Sequence, residues 1–426
     1  MTPKSDQFKT AMSIVRERIA IAKRHGTHRG FTDYNGCVSV CQEFIAILED
    51  AGQVAKRSDY TYAYSVAALV LVNCARLAGS ADDSAGGISD TRRYVVEVLT
   101  TACAGVEYAS PEAEFIFLQA LKDCQNKAFD DWDEFAYDLL LPIASLATAK
   151  NVKKLYDVLD KFSEKHKDQE FSSWYLEQDR LVRLSAITVV DGSHAAEQYI
   201  SDNLQFDGIR RIAIQYAIES SDFILAEKLC TDKITSIQYG YHWTQEWYSL
   251  LFDVYIKSGD KEKQATLAED LLFNQHDDHY YLILKVLLTE QGVWSAQYPA
   301  LLDRLSQSLP NNSYMYILSE EDERVRLLDE MKKHPASVFT YGAQLSESFP
   351  SDVYSICMDE IRMQAAEANN RVLYKKICSN IKKLNEFGGN AEADDIIAEL
   401  KSRYPRRPAM LEELDILALR LAKKRK

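Results

Sequence analysis

Phe8, Met12, Val15, Ile19 and Ala22 step by four, three, four and three residues, which lines one face of an α-helix. Val152, Leu155, Leu159 and Phe162 repeat the pattern. No segment sustains the period-two alternation of a strand, and no Asn-Gly pair joins two β-branched runs. Glycine (16 residues) and proline (9) are scarce in a chain of 426, whereas sheet proteins need both at their many turns. The spacing therefore predicts an all-α chain of about twenty helices, mostly of roughly 10–20 residues.

Helix starts carry their usual punctuation. Ser110 before Pro111 places proline at the first helical position. Asp131 with Glu134, and Ser319 with Asp322, match the spacing of a capping box.

Several segments share one plan: an apolar helix, a small or acidic turn, then a second helix carrying alanines. "RIAIQYAIESSDFILAEKLC" (211–230) and "WYSLLFDVYIKSGDKEKQATLAEDLL" (247–272) are the clearest. "LATAKNVKKLYDVLDKF" (146–162) and "LNEFGGNAEADDIIAELKSRY" (384–404) are weaker versions. Second helices are read as starting at Asn151, Ser193, Asp222, Asp260 and Ser295, intervals that scatter around the tetratricopeptide length of about 34 residues. A helix pair cannot bury its apolar face alone, so it stacks on its neighbours. The expected architecture is an irregular superhelical stack of antiparallel helix pairs, a TPR-like α-solenoid. Residues 1–190 read as an N-terminal bundle or the start of the solenoid and 191–426 as the repeat region, most simply as one continuous superhelix.

Charge is unevenly placed. The chain carries a net −14, which disfavours wrapping nucleic acid with its whole surface. Residues 371–426 hold 14 Lys or Arg against 8 Asp or Glu, a local +6 that leaves −20 on the other 370 residues. Arg403, Arg406, Arg407, Lys423, Lys424 and Arg425 form the candidate basic patch. It could contact phosphates, or it could be a solvated face.

The richest partner-binding candidate is "IQYGYHWTQEWYSLLFDVY" (237–255). Trp243 and Trp247 are four apart on a helix, with Tyr239, Tyr241 and Tyr248 around them and Tyr281 in the next hairpin. Such rings anchor peptides in the groove of a solenoid, or they fill the space between helices.

Motifs for chemistry are missing. The chain has no Gly-x-x-x-x-Gly-Lys-Ser/Thr loop, no Gly-x-Gly-x-x-Gly, no His-Glu-x-x-His and no Gly-x-Ser-x-Gly. Cys37 with Cys41, and His276 with His279, could each give half of a tetrahedral metal site, but both pairs read more simply as core and solvated turn. The loop Asp82–Gly87 lacks EF-hand spacing. Its glycines read as the turn between two helices, with Ser89 or Asp90 capping the second. No cofactor and no metal is expected. The first ten residues hold no apolar stretch, the uncharged run Thr61–Ala75 is too short to span a bilayer, and the eight cysteines show no short disulfide framework. These features predict a cytoplasmic protein with no membrane partner.

Three segments resemble bacterial SWIM zinc-finger family proteins. "GFTDYNGCVSVCQEFIAILEDAGQVAKRSDYTYAYSVAALVLVNCARLAGSADDSAGGISD" (30–90) is similar to that family's long helical region, with its Gly-Phe-x-Asp-Tyr start and Asp-Asp-Ser-x-Gly loop. "FDDWDEFAYDLLLP" (129–142) and "AELKSRYPRRPAMLEELD" (398–415) look like later parts of it. The finger itself needs Cys-x-Cys and Cys-x-His, and neither occurs here. The resemblance implies a helical body without the zinc site, so the finger's nucleic-acid role does not carry over. The expected function is a non-enzymatic scaffold for another protein or peptide. The alternative is a nucleic-acid accessory role through the basic C-terminal end.

Overall fold

A computed structural model describes residues 5–167, 172–238 and 240–424. Among them are 22 α-helices, three single-turn 3-10 helices and one two-residue hairpin. The chain divides into two compact units. The first contains α1 (Asp6–Gly26), α2 (Tyr34–Ala55), α3 (Tyr60–Ala78), α4 (Gly87–Gly105), α5 (Pro111–Asp123) and α6 (Glu134–Ile143). It continues with α7 (Val152–His166), α8 (Ser172–Val190), α9 (Ser193–Asp202), α10 (Asp207–Glu219) and α11 (Phe223–Ser236), and takes residues 243–254 of α12 (Tyr241–Ser258). The second unit contains α13 (Lys261–Asn274), α14 (His279–Glu290), α15 (Trp294–Ser308), α16 (Asn311–Glu320) and α17 (Arg324–Lys333). It ends with α18 (Val338–Leu345), α19 (Pro350–Glu367), α20 (Arg371–Glu386), α21 (Asn390–Arg403) and α22 (Pro408–Lys424).

The core of the first unit is built around α3. Ala63, Tyr64, Ala67, Leu71 and Cys74 are fully buried, and α3 packs against α1, α2, α4, α5 and α6. Alanines on α3 let neighbouring helices approach closely, and Phe44, Leu48, Leu99 and Leu140 fill the remaining space. A helix apolar all round belongs inside such a core. Among the described residues α3 alone is long and apolar enough to cross a membrane, and most of it is buried within the molecule.

One turn recurs between helices. Ser58, Ser221, Gly259, Gly292, Asp322 and Gly388 all have positive φ. In each case the next residue's N–H donates to a carbonyl five positions back, as in Asp222 to Ala217 (2.7 Å) and Glu323 to Leu318 (2.9 Å). This is the Schellman closure, which satisfies carbonyls orphaned at a helix end. The following residue then starts the next helix. Asp59, Asp222 and Asp260 accept from the backbone N–H three residues on. Positions 221, 259, 292 and 322 are separated by roughly the length of one helical hairpin. Substantial helix contacts within the second unit all join helices adjacent or next-but-one along the chain.

Of the residues read as helix starts, Asn151, Asp222 and Asp260 are N-caps one residue before their helices, and Ser193 and Ser295 fall at the first and second residues of theirs. Ser110 caps α5, accepting from Ala113 N–H, with Pro111 first in the helix. The two capping boxes do not form. Asp133 rather than Asp131 precedes α6, and Ser319 lies in the last turn of α16. Ser89 and Asp90 lie inside α4. Its cap is Gly86 at φ 73, and Asp83 accepts from the N–H of Ile88 at 3.0 Å. The small hairpin Thr27–His28 with Phe31–Thr32 also went unread. Its turn residues Arg29 and Gly30 both have positive φ, as a tight antiparallel turn requires, but two-residue strands are too short to show a period.

Two glycine substitutions should act in opposite directions. Space around Gly259 is open, but its φ of 73 penalises any Cβ, so Gly259→Ala should cost about 1–2 kcal/mol. Gly52 lies within α2, where an added Cβ would meet Val98 at an ordinary 3.7 Å, so Gly52→Ala should stabilise by about 0.5 kcal/mol. Denaturant midpoints moving to opposite sides of wild type would bear this out. A shift of both in one direction would contradict it.

Candidate functional site

The aromatic segment enters α12 after Gly240. Tyr239 lies outside the described residues. The buried stripe of the helix runs through Thr244, Trp247, Leu251 and Val254. Trp247 is 2% exposed, with Arg211 and Lys233 over its ring at 5.4 and 5.6 Å, an arrangement that favours the ring's negative face. Trp243, four residues earlier, falls off that stripe and is 66% exposed. The Tyr241 hydroxyl donates to the Asp277 carboxylate at 2.7 Å, and Tyr248 is half-buried. Tyr281 is buried with its ring edge-on to Trp294, and burial pushes its phenol far above the usual range. The segment is thus not one surface. Trp247 is buried in the first unit and Tyr281 in the second, while Trp243 faces outward.

The basic residues divide likewise. Arg407 donates to the Ala365 carbonyl at 2.7 Å and lies over the Tyr404 ring at 4.3 Å, closing the C-terminal end of α19. Arg403 is within 4.0 Å of Glu399 on its own helix. Arg406 and Lys423 are exposed. Lys424 ends α22, its side chain outside the described residues, as is all of Arg425.

Burial holds the thiols neutral. Cys37 is pushed up to about 12 by burial first, then by Cys41 and Asp83, whose carboxylate is 3.7 Å from its sulfur. A thiolate, the form that binds metal or attacks, is disfavoured there. His276 and His279 are exposed beside a turn. The Asp138 carboxyl is held up by burial against the pull of Arg92, 2.6 Å away, a pair that ties α4 to α6.

A groove that the sequence did not announce lies among α8, α9, α10 and α11, entirely within the first unit. It encloses about 680 Å³, within the span of roughly 300–1,000 Å³ usual for ligand sites. Small side chains create it: Ala196 on α9 with Ala213 and Ala217 on α10 keep the floor low. Ile200 and Leu229 supply apolar walls, and Leu225 is 44% exposed at the lip. Glu197 and Glu219 stand exposed on the rim. The signal was present as alanines four apart in "RIAIQYAIES", but alanine spacing reads equally as close helix packing.

Segments 30–90, 129–142 and 398–415 form chiefly α2 and α3 with the loop to α4, then α6, and lastly the corner between α21 and α22. Comparison with protein-family models finds no match, and comparison with curated proteins finds none either.

The two tryptophans should separate in a stability measurement. Trp247→Ala should cost about 3–5 kcal/mol, the range for emptying a buried aromatic site. Trp243→Ala should cost less than about 0.5 kcal/mol, as an exposed substitution does. Similar losses for both would show that Trp243 is not on the surface.

Proposed function

We propose that this chain is a non-enzymatic scaffold, an irregular stack of helical hairpins, that binds a basic amphipathic helix of another protein in the α8–α11 groove. The observation that carries the reading is the pairing of an apolar floor with two carboxylates on the rim. A helix presents its apolar anchors on one face, the way helix-in-groove partners dock. Lysines or arginines flanking those anchors would meet Glu197 and Glu219. The net charge of −14 adds long-range attraction for such a partner.

The recurring Schellman-to-cap turn supports the hairpin stack, since it joins successive helices through a two-residue connection. The eight free cysteines fit a reducing cytoplasm. Kinship with the helical body of SWIM proteins rests on residues 30–90, 129–142 and 398–415 and belongs to the same proposal.

Anisotropy with a labelled Leu/Lys amphipathic helix, and with a Leu/Glu helix of the same pattern, tests the groove. The Leu/Lys helix should bind at least about tenfold tighter, on the scale of one or two lost charge pairs. Leu225→Lys and Glu219→Lys should each weaken it while leaving the fold intact, both residues being exposed. Equal binding of the two helices, or binding indifferent to both variants, would overturn the assignment.

A further inference from the structure

The helix α22 carries two stripes of the same period, one buried and one exposed. Met410, Leu414, Leu417 and Leu421 step by four, three and four residues and are buried. The helix makes its substantial contacts with α20 and α21. Glu412, Ile416, Leu419 and Lys423 repeat the same steps two positions on, which turns them about 200° away around the helix. All four are exposed, Leu419 by 67% and Ile416 by 37%. Scattered surface hydrophobics need no explanation. These two sit at the spacing of a coiled-coil seam, between an acid and a base.

The order acid, apolar, apolar, base is its own complement when reversed. In an antiparallel pair of α22 helices, with a two-fold axis between 417 and 418, Ile416 faces Leu419 of the second copy. Glu412 then faces Lys423 of the second copy, and symmetry makes each contact twice. A parallel pair would set Glu412 on Glu412 and Lys423 on Lys423, and like charges juxtaposed are costly. Among the described residues, Lys423 has no ion-pair partner in its own protomer. Glu412 pairs with Arg371 yet stays 59% exposed, and an ionised carboxylate accepts more than one donor. Asp415 lies on one flank of the stripe and is matched by Lys401 at 2.5 Å. Arg420 lies on the other flank, exposed, where its long stem can carry the charge into water.

We propose that the outer face of α22 is a self-association surface, through which two copies of the chain pair with these helices antiparallel. One 17-residue helix against its copy belongs to the small, transient class of interfaces, below about 1,200 Å². The dimer therefore forms in a concentration-dependent way and closes at two. The surface belongs to the second unit and stands whether or not the α8–α11 groove binds a helix.

Sedimentation velocity of the full chain from about 1 to 300 µM, a span suited to a weak interface, tests the assignment. Wild type should shift from monomer to dimer and form nothing larger. Lys423→Glu and Glu412→Lys should each weaken the dimer at least about tenfold, since each reversal acts at two symmetry-related pairs. An equimolar mixture of these two variants should regain it, because both pairs then join opposite charges. Leu419→Glu, at an exposed position, should abolish it. If Glu412→Lys fails to fold without its pair to Arg371, Lys423→Glu and Leu419→Glu decide the matter. A wild type that stays monomeric, a mixture of folded variants no better than its parts, or a dimer indifferent to the substitutions overturns the proposal.

Discussion

A residue in the left-handed region at the end of one helix, and the backbone bond it permits to a carbonyl five positions back, closes six helix connections among the described residues. The bond ends one helix and opens the next within two residues, and α2 with α3, α10 with α11, α16 with α17 and α20 with α21 lie side by side. Short connections keep apolar stripes of successive helices in register and leave little loop to order. The same closure appears with serine, aspartate and glycine at the critical position. Non-glycine residues accept that conformation at a cost of about 1–2 kcal/mol each, which the packed helix pair must offset. Where the closure is absent, as between α18 and α19, an extra turn intervenes instead.

Helix existence was legible in the sequence because the apolar period is long and uninterrupted. Met12, Val15 and Ile19 are buried on the predicted face, and Leu155 and Leu159 on theirs. Aspartates were good markers of helix starts where they followed a left-handed residue, as at Asp222 and Asp260. The spacing misled where the helix begins later than read, as with Asp131 ahead of the cap Asp133, and where the candidate still lies in the preceding helix, as Ser319 does in α16. A capping box needs its first residue outside the helix, and spacing alone does not show where the preceding helix ends.

The candidate sites were less legible, for a physical reason. Residues four apart on a helix differ by about 40° of rotation, enough to put Trp247 in the core and Trp243 outside it. Composition could not choose between them. Arg407 shows the same limit for charge. Its place in a basic run suggested phosphate contact, yet its guanidinium serves the carbonyls at the end of α19. The groove at Ala213 and Ala217 arises from side chains that are small, and the stripe from Glu412 to Lys423 stands out only because the fold buries Met410, Leu414, Leu417 and Leu421 instead. Cavities and exposed faces are properties of three-dimensional juxtaposition, so a single sequence carries them weakly.

Contacts confined to neighbours have an energetic consequence. Helices whose substantial contacts are with adjacent or next-but-one helices, as in the second unit, can open in steps, while a helix packed on many sides opens only with its whole unit. Native-state hydrogen exchange read by mass spectrometry tests this most directly. The account predicts that amides of α3 exchange only through the largest opening free energy of the first unit, and that α13–α22 show a graded series of smaller openings. A single uniform opening free energy across α13–α22, equal to that of α3, would contradict neighbour-limited packing in the second unit.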